Sequence, residues 1–233
     1  MNYFLDTNVK IGYVFCTDSW NDESVKLLES DDVFYNSNCV EKEFNKKYDP
    51  IIKEQKNFFY SLRDELKDSS SQILSLKDLK IKSKIIYLKR DFEENKKDNI
   101  SEVLWKVSQP KHEYDDDLKT DVCSVDNLVK YIGKFIRGFE RKLMERRNYY
   151  ESEVMFHNRD EQYMALNERL LFEFDVHYPD NCIVLDAHDL VLTDCIDLEF
   201  ITADGNMIER VNEMIDLLGI DKFHYLEDFV YNS

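Results

Sequence analysis

Glycine and proline are scarce in this chain, with 5 and 3 copies among 233 residues. An all-β protein needs many tight turns, and these two residues supply a large share of them, so the composition disfavours that class. Charged residues make up 34% of the chain, which is typical of long helices with one solvated face. The 43% of apolar residues is enough to form a substantial core. We therefore expect a helix-rich globular protein.

The sequence also lacks the usual signals for secretion and membrane insertion. No apolar run approaches the roughly 20 residues that a membrane-spanning helix needs. The first residues lack the basic segment and following apolar stretch of a signal peptide. The five cysteines are widely scattered and form no CxxC pair. We expect a cytoplasmic protein with reduced cysteines and no membrane association.

Several common site motifs are missing as well. The chain has no HExxH motif, no Cys/His tetrad and no glycine-rich phosphate loop, so zinc and nucleotide sites have little support. The net charge of −17 argues against indiscriminate binding to polyanions. This charge is uneven, because residues 45–150 carry a balance of +5 and the flanks carry −22. The distribution fits a carboxylate-rich pocket beside a surface that accepts phosphates.

The two ends of the chain have a βα pattern, and the middle is helical. Short apolar runs predict strands at residues 3–5, 33–35, 198–202 and 223–226, with helical patterns between them. Strands that alternate with helices predict a parallel sheet. We expect an α/β fold in which residues 1–48 and 176–233 form a single domain and residues 49–175 form a large α-helical insertion.

Within this insertion, one helix has a regular apolar stripe and one segment has the composition of a loop. The stripe consists of residues at spacings of three and four that place them on one helix face. Residues 108–121 are polar and contain a proline, which predicts an exposed loop. The apolar stripe comprises Val125, Leu128, Ile132, Phe135, Phe139 and Leu143.

Four acidic residues fall where the predicted elements meet one edge of the sheet. Asp6 and Asp204 follow strands, Glu43 lies in the first turns of the helix after the second strand, and Asp180 begins a later helix. The carboxyl ends of parallel strands and the N-termini of the helices that follow share an edge, so the four acids are expected to converge. Like charges at close range repel, and a bound cation relieves that repulsion. Oxygen ligands suit Mg²⁺ or Mn²⁺.

These acids lie in four segments that resemble the motifs of the PIN domain, a metal-dependent nuclease fold of toxin ribonucleases and RNA-processing enzymes. The opening Phe-Leu-Asp-Thr-Asn-Val, residues 4–9, matches the first motif closely, and Ser-x-x-Val-x-x-Glu-Phe at 37–44 resembles the second. Asp-Asn-Cys-Ile-Val-Leu-Asp-Ala at 180–187 resembles the third, and Phe-Ile-Thr-Ala-Asp at 200–204 resembles the fourth. The resemblance covers less than half of the chain, and the large insertion is typical of longer PIN-like proteins.

The resemblance implies a metal site and assigns roles to its residues. Mg²⁺ or Mn²⁺ would be held by the four catalytic acids, with Asn8 and Thr202 as neighbouring hydrogen-bonding groups. For two of the four acids, a second acidic residue is an alternative. Asp186 fits the shorter spacing to Asp204 that compact toxins have, whereas Asp180 heads its helix and is preferred, with Asp186 kept as a neighbouring group. Glu41 competes with Glu43. The assigned metal and catalytic residues are Asp6, Glu43, Asp180 and Asp204.

The same resemblance implies hydrolysis of phosphodiester bonds, with RNA favoured over DNA and an endoribonuclease favoured over other nucleases. The alternative is a PIN-fold module that binds nucleic acid or a protein without cutting, with the insertion as its docking surface. Family analogy also suggests a regulatory protein of the antitoxin kind and a homodimer. A basic strip on the helix of the insertion is a candidate contact for nucleic acid, and a solvated helix face is its plain alternative. This basic strip comprises Lys130, Lys134, Arg137 and Arg141.

Overall fold

A computed structural model describes residues 1–68, 73–89 and 122–232 of the chain. The chain divides into two compact units. The first unit contains residues 1–15, 20–48 and 146–233, and the second contains residues 16–19 and 49–145. The predicted loop at residues 108–121 lies outside the described residues.

The first unit is built on a parallel β-sheet. Five strands of the described residues form it in the order β5-β2-β1-β6-β7, so that β1 lies in the centre. The predicted α/β class with a parallel sheet flanked by helices is therefore confirmed. The five strands are β1 (Asn2–Leu5), β2 (Val33–Ser37), β5 (Val154–His157), β6 (Glu199–Thr202) and β7 (Lys222–Tyr225).

Helices precede and follow these strands along the chain. Within the described ranges, every helix is too short or too polar to cross a lipid bilayer. In chain order the helices are α1 (Thr7–Val14), α2 (Asn21–Leu28), α3 (Asn38–Lys67), α4 (Leu76–Lys89), α5 (Val125–Glu153), α6 (Met164–Phe172), α7 (Asp180–Asp194), α8 (Gly205–Val211), α9 (Ile215–Leu218) and α10 (Leu226–Asn232).

The central strand is apolar from Tyr3 to Leu5, and both of its faces are covered. Side chains alternate between the two faces of a strand. Tyr3 and Leu5 belong to the apolar cluster that contains Val9 of α1. Phe4 belongs to the other cluster, with Ile183 of α7, and its ring lies 5.6 Å from the ring of Phe200 on β6. Burial on both faces explains why β1 reads as a continuous apolar run and not as an alternating one.

The second unit has its own aromatic core. Phe59 from the C-terminal half of α3 contacts Phe135 and Phe139 of α5, with ring centroids 4.9 and 5.5 Å apart. All six residues of the predicted apolar stripe are buried, which confirms that this face of α5 points into a core. A two-stranded antiparallel ribbon, β3 (Ile73–Ser75) with β4 (Val122–Ser124), belongs to the same unit.

The predicted insertion, residues 49–175, and the second compact unit differ at their C-terminal ends. The second unit ends at residue 145, and residues 146–175 belong to the first unit. Strand β5 lies in this stretch and pairs with β2 through residues such as Phe34 and Val154. The sequence pattern concealed β5 because it is a short edge strand with exposed Met155 and Phe156, and it directly follows a 29-residue helix.

Candidate active site

Strand β1 is the point where the connections of the sheet change direction. The chain passes from β1 to β2 on one side, and later places β6 on the other side of β1. In open α/β sheets a crevice forms at such a switch point, outside the carboxyl ends of the strands. Asp6 follows β1 at this position, and Asp204 comes two residues after the end of β6.

Asp6 is the most buried acid of the group, with 3% of its surface exposed. It caps α1, because its Oδ1 accepts a hydrogen bond from the Thr7 N–H at 2.6 Å. The Thr202 hydroxyl donates to Oδ2, also at 2.6 Å. Burial raises the pKa of Asp6 to about 7, and the charges of Asp180 and Glu43 raise it further, whereas the bond from Thr202 opposes the rise.

Glu43 reaches the same pocket from the second turn of α3. The Thr7 hydroxyl donates to its Oε2 at 2.6 Å, and Lys47, one turn later, lies 2.5 Å from its Oε1. Thr7 therefore bonds one acid through its backbone and another through its side chain. Its competitor Glu41 instead forms an ion pair with Lys10, so the contacts favour Glu43 as the member of the acidic group.

Asp180 is the first residue of α7 and is partly buried. Burial raises its pKa to about 6, and the negative charges of Glu43 and Asp204 add to the rise, while Lys47 and Arg210 oppose it. Asp180 therefore feels the charges of two other predicted site acids, and Asp6 feels the charge of Asp180. The four predicted acids do converge on one edge of the sheet.

Asp204 lies at the start of α8, which follows β6. Its backbone N–H donates to the Thr202 hydroxyl at 2.9 Å, and its Oδ1 accepts from the Asn206 N–H at 2.9 Å. Thr202 is completely buried and thus connects Asp6 to the backbone of Asp204. Asn8 donates to Asp6 Oδ2 at 3.5 Å. Both residues that were expected to support the acids contact Asp6.

Asp186 is placed differently from Asp180. It lies in the middle of α7 and is 2% exposed, and its Oδ1 is 3.1 Å from Nε of Arg159. Burial raises its pKa, and Ser37 and Arg159 oppose the rise. Its strongest charged neighbours are therefore basic, whereas those of Asp180 include two acids. The electrostatics favour Asp180 over Asp186 as the third acid.

A cluster of charges beside the pocket was missed by sequence reasoning. Lys10 of α1 is completely buried and forms an ion pair with Glu41, and its Nζ is 3.5 Å from Glu151. The ammonium group also lies over the rings of Phe44 and Tyr150, at 4.5 and 5.1 Å. Buried lysine is tolerated when it is paired. The only local sign of this cluster in the sequence is a lysine among the apolar residues of α1. The two acids that pair with it, Glu41 and Glu151, are more than 30 positions away in sequence.

The cysteines were also misjudged, because Cys39 and Cys182 form a disulfide, with Cα atoms 6.2 Å apart. The expectation of reduced cysteines was wrong for this pair. The two residues are 143 positions apart in sequence, so no local spacing signals their proximity. They meet because α3 and α7 both begin at the same edge of the sheet, which is the geometry that also brings Glu43 and Asp180 together.

The predicted basic strip lies on α5 in the second unit. Its four residues are all exposed, and Arg141 is 3.7 Å from Glu145 on the same helix. The Lys134 ammonium lies 5.7 Å from the centre of the Tyr131 ring. The interleaved Phe135 and Phe139 are buried, so these aromatic rings serve the core and do not face a ligand.

The acidic group and the disulfide differ in how closely their ligand atoms approach one another. In the described part of the chain, three residues have potential metal-ligand atoms within 4.8 Å of one another, and these are Cys39, Cys182 and Asp186. The disulfide occupies both sulfurs of that group. The oxygens of the four acids do not form such a tight trio, although their charges act on one another.

Comparison of the chain with protein-family models, with curated proteins and with solved structures found no match.

Proposed function

We propose that this protein is a metal-dependent, PIN-like nuclease that hydrolyses phosphodiester bonds, with RNA as the favoured substrate. The observation that carries the proposal is the convergence of four acids from separate segments at the switch point of a parallel sheet. Placing these acids together costs stability unless a cation neutralises them. Clusters of acids that lower stability in this way are common at functional sites, and this cluster has no evident structural benefit.

The chemistry of the acids fits Mg²⁺ or Mn²⁺ as the cofactor. All four supply hard oxygen donors, and burial, together with the charges of neighbouring acids, raises the pKa values of Asp6 and Asp180. Their oxygens are not gathered as tightly as the ligands of a fully dehydrated ion. Mg²⁺ keeps several of its waters and is commonly held by one or two protein carboxylates, so this spacing suits a hydrated ion.

Each acid has a distinct role in this proposal. Asp6, fixed by Thr202 and by the Thr7 backbone, is the rigid ligand at the base of the pocket. Asp180 and Asp204 complete the metal ligands, and Glu43 assists them. A bound ion would activate a water molecule and neutralise charge on the scissile phosphate. Asn8 and Thr202 orient Asp6 by hydrogen bonds.

Cleavage of matched single-stranded RNA and DNA oligonucleotides tests the proposal. We expect cutting with Mn²⁺ or Mg²⁺, none in EDTA, and loss of activity in Asp6→Asn and Asp204→Asn. Asp31→Asn is the matched control, because Asp31 is an exposed aspartate outside the acidic group. Equal cleavage by wild type, Asp6→Asn and Asp204→Asn would contradict the proposal. Oligonucleotide binding without cleavage in any metal would favour the non-cleaving binding module.

We propose that the basic strip on α5 contacts the phosphates of the nucleic acid. Its four exposed cations could each neutralise a phosphate and release a counterion. Lys130→Gln with Lys134→Gln should weaken RNA binding and flatten its dependence on salt concentration. The control is Lys26→Gln with Lys222→Gln, which removes two exposed lysines elsewhere. Equal loss of binding in both double variants would argue against a specific strip.

We also propose a cytoplasmic location. The expectation of reduced cysteines, which was one argument for it, does not hold for Cys39 and Cys182. A structural disulfide is unusual in that compartment, where disulfides are mostly transient. The cytoplasmic proposal therefore requires that the Cys39–Cys182 bond be reversible. A homodimer and an antitoxin-like protein partner remain proposals that rest on the resemblance to PIN domains alone.

A further inference from the structure

The Cys39–Cys182 disulfide joins the first turns of two helices. Cys39 is the second residue of α3, and Cys182 is the third residue of α7. Val40 and Ile183, which follow the two cysteines in sequence, belong to the same apolar cluster. The bond is therefore a covalent link between the beginnings of two helices that contribute to one core.

Each cysteine lies close in sequence to one acid of the candidate active site. Glu43 follows Cys39 by four residues, which is about one helical turn, and Asp180 precedes Cys182 by two residues. Both acids are carried by helices, so the distance between them depends on how the first turns of α3 and α7 are placed. A covalent link between the first turns therefore restrains the separation of Glu43 from Asp180.

The two cysteines of the disulfide differ in their exposure. Cys39 is 8% exposed, whereas Cys182 is partly exposed. Arg159 Nη2 lies 3.4 Å from Cys182 Sγ, and Nε of the same guanidinium lies 3.1 Å from Asp186. Cys182, the more exposed of the two cysteines, is therefore where we expect a small molecule from solvent to attack. The Arg159 contact holds the side chains around that sulfur in place.

We propose that Cys39 and Cys182 form a reversible thiol–disulfide exchange site that locks the Glu43 helix to the Asp180 helix. A small-molecule thiol attacks Cys182 Sγ, breaks the S–S bond and leaves Cys39 as a thiol. A second thiol then displaces Cys182, so that two protein thiols and one small-molecule disulfide result. The two electrons come from the two small thiols, and a small-molecule disulfide reverses the reaction.

The lock predicts how the redox state acts on the acidic pocket. The oxidised protein holds the starts of α3 and α7 together, so its carboxylates need less rearrangement to take a cation. We expect the oxidised form to bind Mn²⁺ about 10-fold more tightly than the reduced form, as for other supports of metal ligands. This consequence rests on the proposed metal site, whereas the lock itself does not.

The test compares three proteins after treatment with oxidised or reduced glutathione and removal of the reagent. They are the wild type, Cys39→Ser with Cys182→Ser, and a control that keeps only this pair through Cys16→Ser, Cys123→Ser and Cys195→Ser. Peptide mapping detects the cross-link. Backbone hydrogen exchange reports on residues 39–43 and 181–185. Calorimetry with Mn²⁺ alone measures the affinity of each form.

We expect a cross-linked peptide in the oxidised wild type and control, faster exchange in both helix starts after reduction, and weaker Mn²⁺ binding. The double serine variant should respond to neither treatment. Absence of the cross-link, or equal hydrogen exchange in both redox states, would overturn the proposed lock. A stoichiometric zinc ion bound by the two reduced thiols would overturn it as well. If Mn²⁺ binds neither form, the proposed nuclease function fails, and hydrogen exchange alone decides the lock.

Discussion

Replacing Asp6 by asparagine should stabilise the metal-free protein, and the gain should grow with pH. Asp6 is buried beside other acids, and its pKa is about 7, compared with 3.8 for an ordinary aspartate. The folded state therefore keeps a proton on Asp6 under conditions in which the unfolded state has lost it. Stability falls as pH rises through this range, because the unfolded state binds fewer protons than the folded state.

The expected size follows from the interval between the two pKa values. Each unit corresponds to about 1.4 kcal/mol, so complete ionisation of Asp6 costs about 4 kcal/mol of folding free energy. Asparagine removes this cost, but it cannot accept both of the hydrogen bonds that Asp6 accepts from Thr7 and Thr202. Losing one of them costs about 1 kcal/mol. The net gain at pH 8 should be about 3 kcal/mol.

Urea unfolding in EDTA at several pH values measures this gain. The penalty in wild type is absent below about pH 4, grows by about 1.4 kcal/mol per unit to pH 7, and is constant above it. The advantage of Asp6→Asn over wild type should therefore increase by about 3 kcal/mol between pH 5 and pH 8. Exposed Asp31→Asn is the control and should show no such increase.

Added Mn²⁺ should reverse the order of stability. A cation that binds the folded state stabilises it by about 4.1 kcal/mol at 1,000 times its dissociation constant, which exceeds the expected advantage of Asp6→Asn. We expect this increase in wild type and its absence in Asp6→Asn. A variant that is less stable than wild type at every pH, or an advantage that does not change with pH, would refute the electrostatic account of Asp6.

Three further substitutions test the packing of the helices. Gly12→Ala would place a Cβ 2.5 Å from Ser24 Oγ and should lower the free energy of unfolding by about 1–3 kcal/mol; an unchanged urea midpoint would contradict this. Gly138→Ala on α5 places its new Cβ more than 4 Å from any atom of the described residues and should stabilise by up to about 1 kcal/mol, so a loss of stability would show that the site is more crowded. Lys10→Met leaves Glu41 without its buried cation and should lower the free energy of unfolding, measured by thermal unfolding, by about 2–3 kcal/mol. This is less than the cost of breaking a fully buried ion pair. An unchanged stability would argue against the contribution of this ion pair.

The sequence was informative where a short stretch of chain carries the whole signal. Strand β1 is a short apolar run that ends in Asp6, and β6 repeats this arrangement with Asp204, so the edge of the sheet could be inferred from both. Asp180 was recognised because it heads a helix. Each of these signals is local, since it depends on a strand end or a helix start within a few residues.

The parts that were missed depend on contacts between distant residues. Strand β5 becomes a strand by pairing with β2, more than 100 positions earlier, and its own side chains are largely exposed. Lys10 is buried because Glu41 and Glu151 neutralise it, yet alone it resembles an ordinary surface lysine. The Cys39–Cys182 pair spans 143 positions. These contacts form because the parallel sheet brings distant segments together. Neither the periodicity of the sequence nor the spacing of its residues indicates them.

The preference for Glu43 over Glu41 shows the same limit on a smaller scale. The two residues are close on one helix, and both lie in its first two turns. The position of Lys10 on α1 draws Glu41 away, and the Thr7 hydroxyl holds Glu43 towards the other acids. This choice rests on side chains of a different element, so the sequence of α3 alone left it open.

Mn²⁺ binding to Asp180→Asn and Asp186→Asn, measured by calorimetry beside wild type, tests the central claim most directly. Both substitutions remove one carboxylate from α7, but Asp180 is influenced by two site acids and Asp186 is paired with Arg159. The acidic pocket predicts binding to wild type and to Asp186→Asn, and a large loss of affinity in Asp180→Asn. Equal affinity in Asp180→Asn and wild type, or no binding to wild type, would contradict the proposed metal site.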